Sequence, residues 1–301
     1  MQQTTVKTSM KQKQAATVAS QREIAPQIYD MWINTDLASQ AKPGQFICVY
    51  PKDKSTLLPR PISICEVNED RTALRLVYRI AGQGTAEFSG YGVGDDIAIL
   101  GTLGNGFLEA AGIDSIAGHI LRDDVEIAAG RLFAGKKIFL MGGGIGIPPM
   151  LQLAKALNEL AGREAQPTDM ITKENIQIVV GYRDAQTFLR EDLEKYGKVY
   201  IATEDGSVGT KGNVMNAIEE NALTADMIFA CGPMPMLRAI KGYAEKSCIP
   251  AYISLEEHMA CGVGACLGCV VKTKEIDHHS HVRNARICTD GPVFEAKEVE
   301  I

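Results

Sequence analysis

Lys136-Lys137-Ile138-Phe139-Leu140-Met141-Gly142-Gly143-Gly144-Ile145-Gly146-Ile147-Pro148-Pro149 is the stretch whose reading decides the fold. The apolar run Ile138 to Met141 has the length of a buried strand, and the glycines after it end the run. Either proline suits the first turn of a helix. Met150, Leu151, Ala154, Leu157 and Leu160 follow at helical spacing as far as Gly162, a helix stop. Strand, glycine-rich turn and helix in this order leave backbone N–H groups and the positive end of a helix dipole where a nucleotide phosphate can sit. Gly142, Gly143, Gly144 and Gly146 are therefore candidate nucleotide-binding residues. Ile147 stands where a full G-x-G-x-x-G has its third glycine, so a plain tight turn remains the other reading.

Toward the C-terminus the rhythm continues, with strand-like runs at Asn175 to Val180, Lys198 to Ala202 and Asp226 to Ala230. Alternating strands and helices predict a parallel sheet covered on both faces. The runs end in Gly181-Tyr182-Arg183, Thr203-Glu204-Asp205-Gly206 and Cys231-Gly232-Pro233-Met234. Ligands of such sheets bind beyond the carboxyl ends of the strands, so Asp205, Cys231, Gly232 and Pro233 join the glycines as candidates along one crevice. Cys231 is either a neighbour of the reactive ring of a bound cofactor or a buried thiol ending a strand. Glu204 and Asp205 would repel a 2′-phosphate and Arg183 would attract one, with ordinary surface charge as the plain alternative, so these residues leave NAD and NADP open. No Ser-His-Asp order, H-E-x-x-H or helical carboxylate pair argues for hydrolysis.

The first hundred residues read as β-rich. Candidate strands are Glu23 to Ile33, Gln45 to Tyr50, Pro61 to Asn68, Ala73 to Ile80 and Asp96 to Leu100, with turn residues between them, which predicts a small antiparallel barrel. Within it lie Arg60-Pro61-Ile62-Ser63, Val77-Tyr78-Arg79 and Gly82-Gln83-Gly84-Thr85. An Arg and a Gly-Thr turn can neutralise and cradle a pyrophosphate, Tyr78 can offer a flat face to a ring, and Ser63 can bond a ring nitrogen. An edge-strand Arg among ordinary barrel turns is the competing reading.

Cys261, Cys266 and Cys269, with Cys288 standing alone further on, have the C-x4-C-x2-C…C spacing of a plant-type [2Fe-2S] ligand set. Gly262, Gly264 and Gly268 let the backbone turn tightly around an inorganic core. Four thiolates also hold structural zinc, usually as two short pairs, and unligated or disulfide cysteines are the remaining reading. His278, His279 and His281 precede the last cysteine and read either as a solvated turn or as a metal-binding tract. The whole chain has 301 residues, 46% hydrophobic and 23% charged, with a net charge of -6 that argues against nucleic acid and anionic membranes as partners. Eight cysteines without a secretory apolar region, and no apolar run of membrane-spanning length, predict reducing cytoplasm. The expected organisation is a tail at 1–15, a β-barrel at 16–108, a linker or insertion at 109–134, an α/β domain at 135–245 and a cluster module at 246–301. Ile113, Ile116, Ile120 and Leu121 give the linker helical spacing, and 162–174 reads as a second insertion.

Taken in order, Arg60 to Ser63, Gly84-Thr85, Gly142 to Pro148, Cys231-Gly232-Pro233 and Cys261 to Cys269 resemble the ferredoxin reductase superfamily with an appended cluster, and within it the electron-transfer subunits of type B dihydroorotate dehydrogenase. Ser254 to Cys261 and Gly291-Pro292-Val293-Phe294 are the most specific part of that resemblance. It implies an FAD-binding barrel, an NAD-binding α/β domain and a [2Fe-2S] cluster facing a separate FMN-containing catalytic subunit, in a hetero-oligomer such as a heterotetramer. Arg60, Pro61, Ile62, Ser63, Val77, Tyr78, Arg79, Gly84 and Thr85 would then contact FAD, and Cys261, Cys266, Cys269 and Cys288 would ligate iron. The implied reaction passes electrons from dihydroorotate, oxidised on the partner in pyrimidine biosynthesis, to NAD+. A diaphorase-like subunit of a hydrogenase or of a bifurcating transhydrogenase is built from similar parts. A non-catalytic metal-binding or redox-sensing module is the alternative from another class.

Overall fold

The computed structural model describes residues 12–112, 133, 135–161, 172–276 and 281–301. Six antiparallel strands, β1 (Gln14–Ala25), β2 (Ile28–Asn34), β3 (Phe46–Tyr50), β4 (Arg60–Val67), β5 (Ala73–Arg79) and β6 (Asp96–Leu103), close a barrel in the order β1-β2-β5-β4-β3-β6. Helix α1 (Gln83–Phe88) joins β5 to β6, and α2 (Phe107–Ala110) leaves the barrel. Side chains alternate across the wall, as the strand period demands. On β3, Ile47 and Val49 fill the barrel with Val18, Ile33 and Leu76. Phe46 and Cys48 point outward, into a second core shared with the C-terminal segment.

The reading of Glu23 to Ile33 as one strand is corrected: Pro26 and Gln27 form a two-residue turn, with Ala25 opposite Ile28 and Gln27 in the left-handed region at φ 62°. The strand before that turn also begins earlier than expected, since Gln14 and Ala15, read as tail, pair with Ile99 and Ala98 of β6. Its residues are small and polar, so partner strands on both sides supply what its own composition lacks.

The second half is a seven-stranded sheet. Its elements are β7 (Ile138–Gly143), α3 (Pro148–Ala161), β8 (Ile176–Tyr182), α4 (Arg190–Glu194), β9 (Lys198–Thr203), β10 (Thr210–Lys211), α5 (Val214–Glu220), β11 (Met227–Cys231), α6 (Met234–Ser247) and β12 (Ala251–Ser254). A small hairpin, β13 (Val270–Lys272) with β14 (Asn284–Arg286), precedes β15 (Val293–Glu295). The sheet order is β10-β9-β8-β7-β11-β12-β15, parallel throughout except that β15 returns antiparallel to β12. The all-parallel expectation therefore fails at one edge, where a C-terminal strand that sequence reading placed with the cluster module joins the nucleotide-type sheet. Every residue of β7 is buried, as a central parallel strand requires. Among the described residues no helix is long and apolar enough to cross a membrane. Ile113, Ile116, Ile120, Leu121, Gly162, His278 and His279, and with them most of both expected insertions, lie outside the described residues.

A buried ion network joins barrel to sheet. Arg75 of β5 donates from Nε and Nη2 to Asp30 at 2.9 Å each, and from Nη1 to Glu66 at 3.1 Å and to Asp192 of α4 at 3.0 Å. Lys155 of α3 reaches Glu66 at 3.1 Å. Burial alone would raise the Asp192 carboxyl, but hydrogen bonds and charge from Lys195 and Arg75 hold it below its ordinary range. A carboxyl depressed in the folded state stabilises fully above its unfolded pKa, so this contribution is present at neutral pH and is lost as acid protonates Asp192. Removing one partner of a buried charge cluster leaves the others uncompensated. Arg75→Met is expected to cost about 3–5 kcal/mol, seen as a lower denaturant midpoint at neutral pH, with the deficit relative to wild type shrinking as the pH falls through the carboxylate range.

Candidate functional site

A cleft of about 410 Å³ opens where β4, β5 and α1 face the chain that follows β12. Arg60, Pro61, Ile62 and Ser63 form one wall with Val77, Tyr78, Arg79 and Thr85, Ile145 of the glycine turn closes an end, and Ser254 to Met259 form the wall opposite. Arg60 to Ser63, Val77 to Arg79 and Thr85, candidates in the sequence, share one side of the cleft, whereas Ile145 at its end is not among the candidates. The far wall, which includes Glu256 and His258, went unassigned although its residues belong to the most specific stretch of the chain.

Individual residues do not all act as expected. A Cβ at position 84 would lie 2.8 Å from Arg60 Nε, so Gly84 makes room for the guanidinium rather than lining the cleft itself. Thr85 Oγ1 accepts from the N–H groups of Ala81 at 2.8 Å and Gly82 at 3.3 Å, so its hydroxyl shapes the turn and is not free for a ligand. Tyr78 borders the cleft but turns its ring into the barrel core, stacked on Tyr29 at 5.9 Å, with its hydroxyl donating to Gln21 at 2.9 Å. The flat face expected of Tyr78 is already covered. Arg79 and Glu256 oppose each other across the cleft, where burial raises the Glu256 carboxyl and the nearby guanidinium only partly offsets it.

The glycine turn serves close packing as much as ligand access. A Cβ on Gly146 would stand 2.3 Å from the Cys231 carbonyl oxygen, and one on Gly143 would stand 2.6 Å from Met236 Sδ. Gly142 is opposite Cys231 in the β7–β11 ladder, and Gly143 and Gly146 pack against Pro233, Cys231 and Gly232 at the carboxyl ends of these two strands. Gly144, at φ 52° and with nothing within 4 Å of where a Cβ would stand, faces open space. Cys231 itself is fully buried. Burial first and then Glu256 push its thiol far above its usual value, so it is a neutral group and not a nucleophile. Asp205 sits in the turn after β9, where Ser207 holds its carboxyl below the usual range.

Cys261, Cys266 and Cys269 share one loop, and Cys288 follows β14; Cys269 and Cys288 are packed with Cys48, Leu100 and Leu103 on the outer face of the barrel. Gly264 N–H points at Cys288 Sγ at 3.2 Å, Cys266 N–H at Cys261 Sγ at 3.4 Å, and Val263 N–H at the same sulfur at 3.5 Å. Burial would raise Cys261, but the Val263, Cys266 and Ala265 N–H groups, with the Cys266 side chain, hold it at about 7. Among the described residues no three potential ligands converge as they would around one ion. Side-chain hydrogen bonding links Cys261 with Cys266 and Cys269 with Cys288. A [2Fe-2S] core takes two thiolates on each of its two irons, four in all.

Residues 256–300 match the family described as the iron-sulfur cluster binding domain of dihydroorotate dehydrogenase B, and residues 140–242 match the oxidoreductase NAD-binding domain. The dihydroorotate dehydrogenase B (NAD(+)) electron transfer subunit of Streptococcus mutans is 38% identical over 288 residues, covering 95% of this chain and 98% of its own. This chain belongs to that family. The electron transfer subunit from Bacillus caldolyticus, 37% identical, again covers 95% of this chain and 98% of its own length. Among solved structures, the NADH-dependent reduced ferredoxin-NADP oxidoreductase, an enzyme of flavin-based electron bifurcation, aligns with a TM-score of 0.72 at 26% identity over 95% of this chain and 89% of its own. A ferredoxin NADP+ reductase from Neisseria gonorrhoeae shares the fold, with a TM-score of 0.55 at 16% identity over 78% of this chain and 91% of its own.

For an electron transfer subunit of this family, the two inner glycines make contrasting demands. Gly146→Ala drives a methyl group into the Cys231 carbonyl and is expected to cost about 1–3 kcal/mol or more in stability. Gly144→Ala meets open space and is charged only the left-handed conformation, about 1–2 kcal/mol. Thermal melts of the two variants, with NAD titrated into each, check the order.

Proposed function

We propose that this chain is the electron-transfer half of a dihydroorotate dehydrogenase B, passing electrons from FMN on a catalytic partner through a [2Fe-2S] cluster and FAD to NAD+. Near-full-length similarity to the family's electron transfer subunits carries the reading. When bound, a nicotinamide exchanges a hydride, a cluster exchanges single electrons, and a flavin converts between the two. In this reading the protein's part is to hold and orient these groups. Cys261, Cys266, Cys269 and Cys288 ligate iron, and the loop N–H groups offset the charge on the sulfurs. Arg60, given room by Gly84, neutralises phosphate, and Pro61, Ile62, Ser63, Val77, Tyr78, Arg79 and Thr85 line the flavin face, with the Tyr78 ring and the Thr85 hydroxyl engaged in holding that wall. The glycine turn with Gly232 and Pro233 receives NAD, and Asp205 disfavours a 2′-phosphate.

Cys261 and Cys266 are the more accessible pair, while Cys269 and Cys288 are buried. Val263 and Leu267 beside the accessible pair are 44% and 62% exposed, an apolar surround suited to the partner subunit. The proposed compartment is the cytoplasm. A second reading, a diaphorase-like subunit of a bifurcating enzyme, draws on the structural likeness to the reduced ferredoxin-NADP oxidoreductase; co-purification with a chain that oxidises dihydroorotate decides between them.

Anaerobic NADH should bleach the flavin band of the purified chain near-stoichiometrically. Cys266→Ser should abolish the paramagnetic resonance of the reduced cluster while leaving the flavin reducible by NADH. A colourless protein that fails to oxidise NADH with an artificial acceptor contradicts the proposal.

A further inference from the structure

Two residues past β6, Asn105 grips the chain between the last cluster cysteine and β15. Its backbone N–H donates to Gly291 O at 2.6 Å. Its side-chain Oδ1 accepts from Val293 N–H at 3.0 Å, and Nδ2 donates to Val293 O at 2.8 Å and to Asp290 O at 3.4 Å. One amide thus uses its acceptor and donor faces on a segment more than 180 residues away. Gly104 beside it allows the approach, since a Cβ there would lie 2.3 Å from Pro292 Cδ.

The gripped segment touches both candidate redox sites. Pro292 lines the cleft, and its carbonyl accepts from Leu255 N–H at 2.9 Å, at the start of the far wall. On the other side, Asp290 accepts from Arg286 N–H at 2.7 Å, closing the turn that presents Cys288. A second contact seats the loop's other end, where a Cβ on Gly262 would meet Leu103 at 3.0 Å and Cys48 Sγ at 3.1 Å. Barrel residues therefore hold the cluster loop at both ends, and β15 fixes the chain only from Val293 onward.

We propose that Asn105 is a positioning residue: by clamping the Asp290–Val293 segment to the barrel it sets the separation between the flavin cleft and the Cys288 thiolate, and so the rate at which electrons cross between them. This rests on the FAD and cluster assignments proposed above. Asn105 is not among the residues lining the cleft, and its hydrogen bonds go to Asp290, Gly291 and Val293 rather than to a cysteine.

The test mixes the full chain with NADH anaerobically and follows flavin bleaching by absorbance and cluster reduction by freeze-quench paramagnetic resonance. Asn105→Ala is expected to bind FAD and iron at wild-type stoichiometry and to bleach its flavin at the wild-type rate. Cluster reduction should then lag severalfold behind flavin bleaching relative to wild type. Asn105→Asp keeps the acceptor for Val293 N–H but loses both side-chain donations, and it decides the matter if the alanine variant fails to fold. A wild-type ratio of the two phases in whichever variant folds overturns the proposal, even if its melting temperature falls, because a merely structural clamp would lower stability without separating the phases. A wild-type chain lacking reducible flavin or cluster would instead overturn the cofactor assignments.

Discussion

The antiparallel return of β15 onto β12 is the constraint on which the arrangement depends. Between these strands the chain leaves the sheet, walls the cleft with Ser254 to Met259, and supplies all four thiolates from Cys261 to Cys288. It then comes back past Pro292 into the sheet it left. Because both ends of the excursion are bonded to one sheet, and Gly262 and the Asp290–Val293 segment are seated on residues of the barrel and the turn after it, cleft and cysteine loop are tied to the same frame. The cluster segment is therefore less an appended module than a strap across the seam between two cores.

The seam itself is held by two kinds of force. Apolar contact dominates where Phe107 of α2 and Phe133 meet Phe229 of β11 edge to face, and where Phe46, Cys48, Leu100 and Leu103 on the barrel's outer face join the core under the cluster loop. Charge adds direction on the other flank, where the planar Arg75 fork meets carboxylates from both halves. Non-directional packing brings barrel and sheet together, and the guanidinium geometry selects one orientation. A chain that must keep two redox groups at fixed separation while nucleotides come and go benefits from such a rigid seam.

Much of this was legible in the sequence, for reasons that differ from place to place. The β7 run and the glycine turn were clear because a buried parallel strand is continuously apolar and the turn after it has strong local chemistry. The cysteine spacing was clear because metal ligation fixes short-range geometry. By contrast, β1 was hidden by its polar composition, since its stability comes from strands on both sides. Tyr78 and Thr85 stood in the right motifs, but the direction of a ring or a hydroxyl depends on Tyr29, Gln21, Ala81 and Gly82, which no local pattern identifies as neighbours. Glu256 opposite Arg79 is a pairing of distant elements and left no periodic trace.

Iron and acid-labile sulfide analysis of the anaerobically purified chain, read with low-temperature paramagnetic resonance after reduction, tests the central claim most directly. A [2Fe-2S] cluster on the four cysteines predicts two irons and two sulfides per chain and a signal integrating to one unpaired electron. One zinc per chain with no sulfide and no signal would contradict it.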